Sequence, residues 1–394
     1  MKISIIILFL SFFTIHFDLT QSFTIHLSKV GTVPDFDITK DLKSGWKEAC
    51  ASTSTEPVEI YFSGTYTLKP VELKGPCKGP VKIIMDGTVR ALVKQKDVGG
   101  DHWIKISHVN DLTIGGYAIL DGQGKSAWKH NECSKNSNCK LSMNFVFNSV
   151  NNSIVKHITS KDSKHFHAKV LNCKNFTFNE FKVSAPQNSP NTSGIHVEKS
   201  TSVNVLNSNI GTGDDCVSLG DGSRQVLVQN VTCGPGHGIS IGSPGKHTKE
   251  EPIDGITIKG CTLKETDNGV KIKTWSSEPE TITISNLAFE DITMENVKNP
   301  IIIDQEYCPS NKCSQKQPSR VKINKVIIKN IKGTSATKEG MILACSSVAP
   351  CEGVEISNVD LKFNGTPTIA VCNNVKPKIT GNVPECTTMN NKKH

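Results

Sequence analysis

The sequence predicts an all-β solenoid, a coil in which about 20 to 30 residues complete each turn. Three observations carry that prediction. Short strand-like runs recur along most of the chain, at Leu112-Thr113-Ile114, Ser153-Ile154-Val155, Phe176-Thr177-Phe178, Val203-Asn204-Val205, Val226-Leu227-Val228, Ile256-Thr257-Ile258, Thr281-Ile282-Thr283-Ile284, Val326-Ile327-Ile328 and Val354-Glu355-Ile356. Successive copies from Ile154 are about 22, 27, 23, 30, 26, 44 and 28 residues apart, and a period of this size marks stacked repeats. Most copies are followed by Asn or Lys-Asn and then by a second short apolar run. Aromatic residues are only 6% of the 394 and glycines number 30, a composition for narrow strands and many turns. A β-sandwich also alternates apolar and polar residues, but its strands recur at shorter spacing.

The elements follow in order. Lys2 precedes an apolar run from Ile3 to Phe13, which reads as a secretory signal peptide over residues 1–22. The remaining 23–394 form one repeat domain, since repeat folds run longer than ordinary domains. Residues 23–35 read as a loose leader, and Phe36 to Lys40 as the first strand. Asp41 to Cys50 reads as a short helix. An open solenoid end exposes unpaired strand edges, so a helical cap is expected there. Glu59–Phe62, Thr65–Leu68 and Val81–Gly87 read as strands through their β-branched residues and Gly breaks. Asp121-Gly122-Gln123-Gly124, with Trp128, reads as a turn. The segments 131–140 and 309–318 read as polar insertions.

All 14 cysteines lie after residue 49. Secretion favours disulfides, and connectivity does not follow from sequence alone. The short-range candidates are Cys50/Cys77, Cys133/Cys139, Cys216/Cys233, Cys308/Cys313, Cys345/Cys351 and Cys372/Cys386, leaving Cys173 and Cys261 as buried thiols. The spacings lack a CxxC pair, which argues against zinc. The net charge of +8 favours an acidic partner; nucleic acid, anionic membrane and acidic polysaccharide all fit that sign. No segment after the leader is apolar enough to span a membrane. Asn-X-Ser/Thr acceptors stand at Asn151, Asn175, Asn191, Asn230 and Asn364.

The chemistry concentrates between Asn191 and Trp275. Four punctuated segments, Asn191-Thr192-Ser193-Gly194, Gly213-Asp214-Asp215-Cys216, Gly236-His237-Gly238 and Val270 to Trp275, are about 22, 23 and 34 residues apart. One coil per segment stacks them on one face. Two adjacent carboxylates, a histidine and two lysines then share a patch. Paired carboxylates suit glycosidic hydrolysis, and lysines beside them suit an acidic sugar. Adjacent residues of a strand point opposite ways, so a bend at Gly213 is needed to bring Asp214 and Asp215 together.

These segments resemble the polygalacturonases, whose pattern is Asn-Thr-Asp, Gly-Asp-Asp, Gly-His-Gly and Arg-Ile-Lys. Gly213-Asp214-Asp215 and Gly236-His237-Gly238 match, within the specific run Cys233 to Ser243. The resemblance covers about Phe36 to Cys386 and is similar to the exopolygalacturonases of plant pollen. It implies a single-stranded right-handed parallel β-helix with a short N-terminal helical cap. It implies Asp214 as general acid, Asp215 as activator of the attacking water, and His237 as support for the acid. Lys273, Lys271 and Tyr307 would hold the sugar carboxylate, and Asn191 a sugar hydroxyl. An inverting reaction expects roughly 6.5–9.5 Å between acid and base carboxyls.

Two positions depart from the pattern. Ser193 stands where the family has Asp, and cannot take a proton. Lys271 stands where the family has Arg, and offers a point charge instead of a planar fork. The resulting expectation is a secreted cell-wall glycosidase, a monomer, acting on polygalacturonate in pectin by inversion. Exo action follows from the similarity to the pollen enzymes. No cofactor, metal or nucleic acid is expected, and no membrane contact after signal cleavage. The rivals are an inactive pectin-binding wall protein, suggested by Ser193, and a calcium-dependent lyase on a similar fold.

Overall fold

The computed structural model describes residues 23–27, 36–130, 140–276, 281–308 and 317–387. The chain winds as a right-handed parallel β-helix whose strands stack into three ladders. The first ladder runs through Leu112–Gly116, Lys174–Asn179, Thr201–Leu206, Arg224–Gln229 and Ile253–Lys259, and on into the long strands Thr283–Val297, Lys322–Ser335 and Glu352–Phe363. The second holds short strands such as Lys182–Ser184, Asn209–Gly211 and Thr262–Lys264. The third runs through Ala168–Leu171, Ile195–Glu198, Val217–Leu219, Ile239–Ile241, Asn268–Trp275, Asn299–Tyr307 and Glu339–Ala344.

Each coil turns on left-handed residues. Asp111, Asn152, Asn175, Ser202, Gln225, Gly255, Asn286, Lys325 and Gly353, each just before the residues that pair as a first-ladder rung, have φ between 49° and 70°. Asn and Gly tolerate this region best, and the Asn that follows many of the runs adopts it too, as Asn207, Asn230, Asn330 and Asn358 do at φ 49–54°. These corners also correct the repeat's register. The fifth interval ends on Asn286-Leu287-Ala288-Phe289, because Ile256 pairs with Leu287 and Leu287 with Val326. Thr281-Ile282-Thr283-Ile284 also alternates, but lacks the left-handed residue. Near the start of the series, Phe176 pairs with Ser153, one residue before Ile154.

Inward side chains form continuous rows. Val170, Val197, Leu219, Ile241, Ile272, Ile303 and Leu343 stack in register along the third ladder and are all buried. Phe147, Phe176, Phe178 and Phe181 fill the wider part of the core with ring centroids 4.8–6.0 Å apart. Burying each such ring removes a large apolar area from water.

The expected cap is present as the helix Thr39–Ala51. Its buried face is Thr39, Leu42, Gly45, Trp46 and Ala49, the three-to-four spacing of an amphipathic helix. Trp46 Nε1 donates to Lys74 O at 3.1 Å, and the Cys50–Cys77 disulfide ties the helix end to the coil. The loose leader is corrected in part: Thr24–His26 is a strand paired with Glu59, Ile60 and Tyr61. Its alternation is too short to recognise in sequence, and the open edge of the first coil supplies the partner. Disulfides Cys216–Cys233, Cys345–Cys351 and Cys372–Cys386 form as expected, and Cys173 and Cys261 are free and buried. Cys133, Cys139 and Cys313 lie outside the described residues, as do the leader 1–22 and most of both polar insertions.

Candidate active site

Four turns that enter the third ladder carry the predicted residues to one cleft. Ile195, Val217, Ile239 and Val270 are aligned across the ladder. Two residues before each of them stand Ser193, Asp215, His237 and Asn268, so unlike side chains occupy one column of the coil. One residue after them, His196, Ser218, Ser240 and Lys271 form a second column. Asn191, Ser193, Asp214, Asp215, His237, Lys271, Lys273 and Tyr307 all line this cleft of ≈ 660 Å³.

The Asp-Asp turn is built from below. Thr192 and Thr212 are fully buried, their hydroxyls 2.8 Å apart, and Thr192 Oγ1 also accepts from Gly213 N–H at 3.2 Å. A Cβ on Gly213 would lie 2.0 Å from Ser189 O, so only glycine fits. Beyond the turn, the Cys216–Cys233 disulfide locks it to the neighbouring coil. Gly238 has φ +84, and a Cβ there would lie 2.0 Å from Asn268 O. The two glycines around His237 therefore let its coil close tightly on the next.

The side chains are interlocked. Asp215 N–H donates to Asp214 Oδ1 at 2.8 Å, and His237 Nδ1 lies 3.1 Å from the same oxygen. His237 Nε2 is 3.5 Å from Asp267 Oδ2. Asp215 Oδ1 accepts from Ser240 Oγ at 2.7 Å, and its Oδ2 pairs with Lys273 Nζ at 3.1 Å. Lys271 Nζ is 3.7 Å from Asp304 Oδ2. Both lysine ammonium groups lie over the Tyr307 ring, at 5.4 and 5.5 Å.

The electrostatics follow from these contacts. Burial pushes the Asp214 carboxyl up, but the bonds from His237 and the Asp215 amide outweigh it, and its pKa is lowered. The bond to Asp214 raises His237 against the opposing effect of burial. Burial disfavours charge on Lys273, yet Asp215 and its neighbours raise the lysine's pKa overall. One oxygen each of Asp214 and Asp215, with a nitrogen of His237, lie within 4.8 Å of one another. Asp214 and Asp215 are consecutive residues of one bend, in which the Asp215 amide donates to the Asp214 carboxylate.

Several cleft residues escaped the sequence reading. Ser218 and Ser240 sit mid-strand, and their register with Lys271 was available from alternation alone. His165 and Phe166 lie on the coil before Ser193, and His196 two residues after Gly194; the ring centroids of His165–Phe166 and Phe166–His196 are 4.2 and 5.0 Å apart. Burial lowers the His165 pKa to about 4. Asp267, which touches His237, precedes a matched segment by three residues and carries no signal of its own. The Asp121–Gly124 turn is absent from the cleft lining; Trp128 beside it donates to Lys164 O at 3.3 Å.

Residues 50–386 match glycosyl hydrolases family 28. A polygalacturonase of Medicago sativa is 55% identical over 98% of this chain and 93% of its own length. An exopolygalacturonase of Oenothera organensis is 48% identical over 88% of this chain and 96% of its own. The endo-xylogalacturonan hydrolase of Aspergillus tubingensis superposes with a TM-score of 0.81 at 21% identity, covering 93% of this chain and 99% of that one, a likeness of fold. The chain belongs to glycosyl hydrolases family 28 and is a glycosidase of the polygalacturonase type.

Proposed function

We propose that this protein is a secreted wall enzyme that hydrolyses the α-1,4-galacturonosyl links of pectin and removes sugars from a chain end. One observation carries the reading: the cluster of Asp214, Asp215 and His237 shares its cleft with Lys271, Lys273 and Tyr307. Acid–base groups and cations for an anionic sugar are then within one substrate's reach. Exo action rests on the name of the Oenothera organensis relative. Secretion rests on the apolar leader and is supported by the disulfides, which persist in oxidising compartments. Among the described residues no helix is long and apolar enough to cross a membrane.

Asp214 is the proposed general acid. In the free site its pKa is lowered, the wrong direction for an acid. An anionic sugar that excludes water and adds negative charge pushes a carboxyl up, so the substrate itself primes the proton. His237, with its raised pKa, supports Asp214 and shares in that proton's placement. Asp215, held by Ser240 and Lys273, orients and deprotonates the water. Lys273, Lys271 and Tyr307 take the sugar carboxylate. Asn191, exposed at the cleft, takes a hydroxyl.

Ser193 favours a second reading, a pectin-binding protein without turnover. It stands in the Asp215 column one coil earlier, is 3% exposed, and brings no charge. Reducing-end release from polygalacturonic acid at about pH 5 separates the two readings. Turnover by the wild type above an Asp214→Asn control means Asp215 serves as base alone. A silent wild type with an active Ser193→Asp variant means the hydrolytic step was lost at 193.

A further inference from the structure

The cationic side of the cleft does not stop at Tyr307. Tyr307 meets Trp275 edge-on at 5.7 Å, the two being register partners on adjacent strands. On Trp275 lies the ammonium of Lys246, 4.5 Å from the ring centroid. A continuous row thus runs from Asp215 through Lys273, Tyr307 and Trp275 to Lys246, and its last two members lie outside the cleft lining. Lys246 is on the segment that follows Ser243, and that segment is fixed. Trp275 N–H donates to Pro244 O at 3.0 Å. The Glu250 carboxylate accepts from the amides of Gly245 and His247.

Lys246 differs from the two inner lysines. Lys273 is offset by Asp215 and Lys271 by Asp304. Among the described residues Lys246 makes no ion pair, and it is exposed. A cation on an aromatic face is held in place but keeps its N–H donors free. Such a charge, one aromatic pair beyond the inner sugar site, suits the carboxylate of the next uronate along a polymer.

Resting on the proposed polygalacturonate activity, we infer that Lys246, positioned by Trp275, forms an outer subsite for a second uronate residue. The contact is a partly exposed charge pair, so its expected contribution is about two- to fivefold in affinity. Binding of galacturonate monomer and dimer by titration calorimetry, in the Asp214→Asn background that removes turnover, tests it. The dimer should bind more tightly than the monomer. Lys246→Ala should remove about two- to fivefold of dimer affinity, leave the monomer unchanged, and be rescued by Lys246→Arg. Lys246→Glu should weaken the dimer further, and raised salt should shrink the difference. Equal affinities of the parent and Lys246→Ala proteins at both lengths would overturn the subsite while leaving the inner site standing. Failure of the parent protein to bind either sugar would overturn the polygalacturonate reading and the subsite with it.

Discussion

Two kinds of corner, built by the same coil, behave in opposite ways. At the corner after the first ladder, Asp291, Asn330 and Asn358 follow one another on successive coils. All three are left-handed, at φ 52–55°. Their side chains satisfy each other: Asn330 Nδ2 donates to Asp291 Oδ1 at 2.9 Å, and Asn358 Nδ2 to Asn330 Oδ1 at 3.1 Å. At the corner entering the third ladder, the column reads Ser193, Asp215, His237 and Asn268. There like does not meet like, and charges are paired sideways to Ser240, Lys273 and Asp214. Repetition produces a closed polar stack. Breaking it, on a scaffold that fixes the backbone equally well, leaves groups able to meet a ligand.

The contrast is broken most sharply at Asp214. Asp214→Asn should lower kcat by about 10²–10⁴, the usual worth of a general acid, with an unchanged circular dichroism spectrum. An inward residue should show the reverse. Phe178→Ala removes a fully buried ring and should cost about 3–5 kcal/mol in chemical denaturation, while activity per folded molecule holds. A closed corner should fall between. Asn330→Ala loses both stack bonds and the polar side chain that suits the left-handed region, for about 1–2 kcal/mol and no change in kcat.

The smallest effect is a titration. His237 has a raised folded pKa, so its contribution to stability is full below the unfolded value near 6.5 and is lost as pH rises through the folded value. Asp214 has a lowered folded pKa, so its contribution is present above about 3.8 and lost as pH falls through the folded value. Their contact therefore stabilises most between those limits. In Asp214→Asn the His237 imidazole, followed by proton NMR, should titrate at lower pH than in the wild type. An unshifted His237 would show that Asp214 does not set its charge.

Much of this was legible in the sequence because the fold is periodic. Asn-punctuated apolar runs gave the coil, and the segments from Asn191 to Trp275 gave the cleft, since one backbone turn per segment brings them together. The slip at Ile282 arose because two alternating runs compete there, and only the left-handed conformation of Asn286 decides between them. His165 and Phe166 were invisible because no matched segment lies on their coil, and His196 because it is a lone mid-strand histidine after the Asn191–Gly194 segment. The bond from the Asp215 amide to the Asp214 carboxylate is a local detail that residue identities do not determine.

The central claim is that the corner turns polygalacturonate over with Asp215 as base, although residue 193 offers no carboxylate. Initial rates of reducing-end release by the wild type and Asp215→Asn, measured side by side on polygalacturonic acid, test it most directly. The account predicts measurable wild-type turnover and a loss of about 10²-fold or more in the variant. Equal rates in the two proteins would mean that Asp215 activates no water and that the account is wrong.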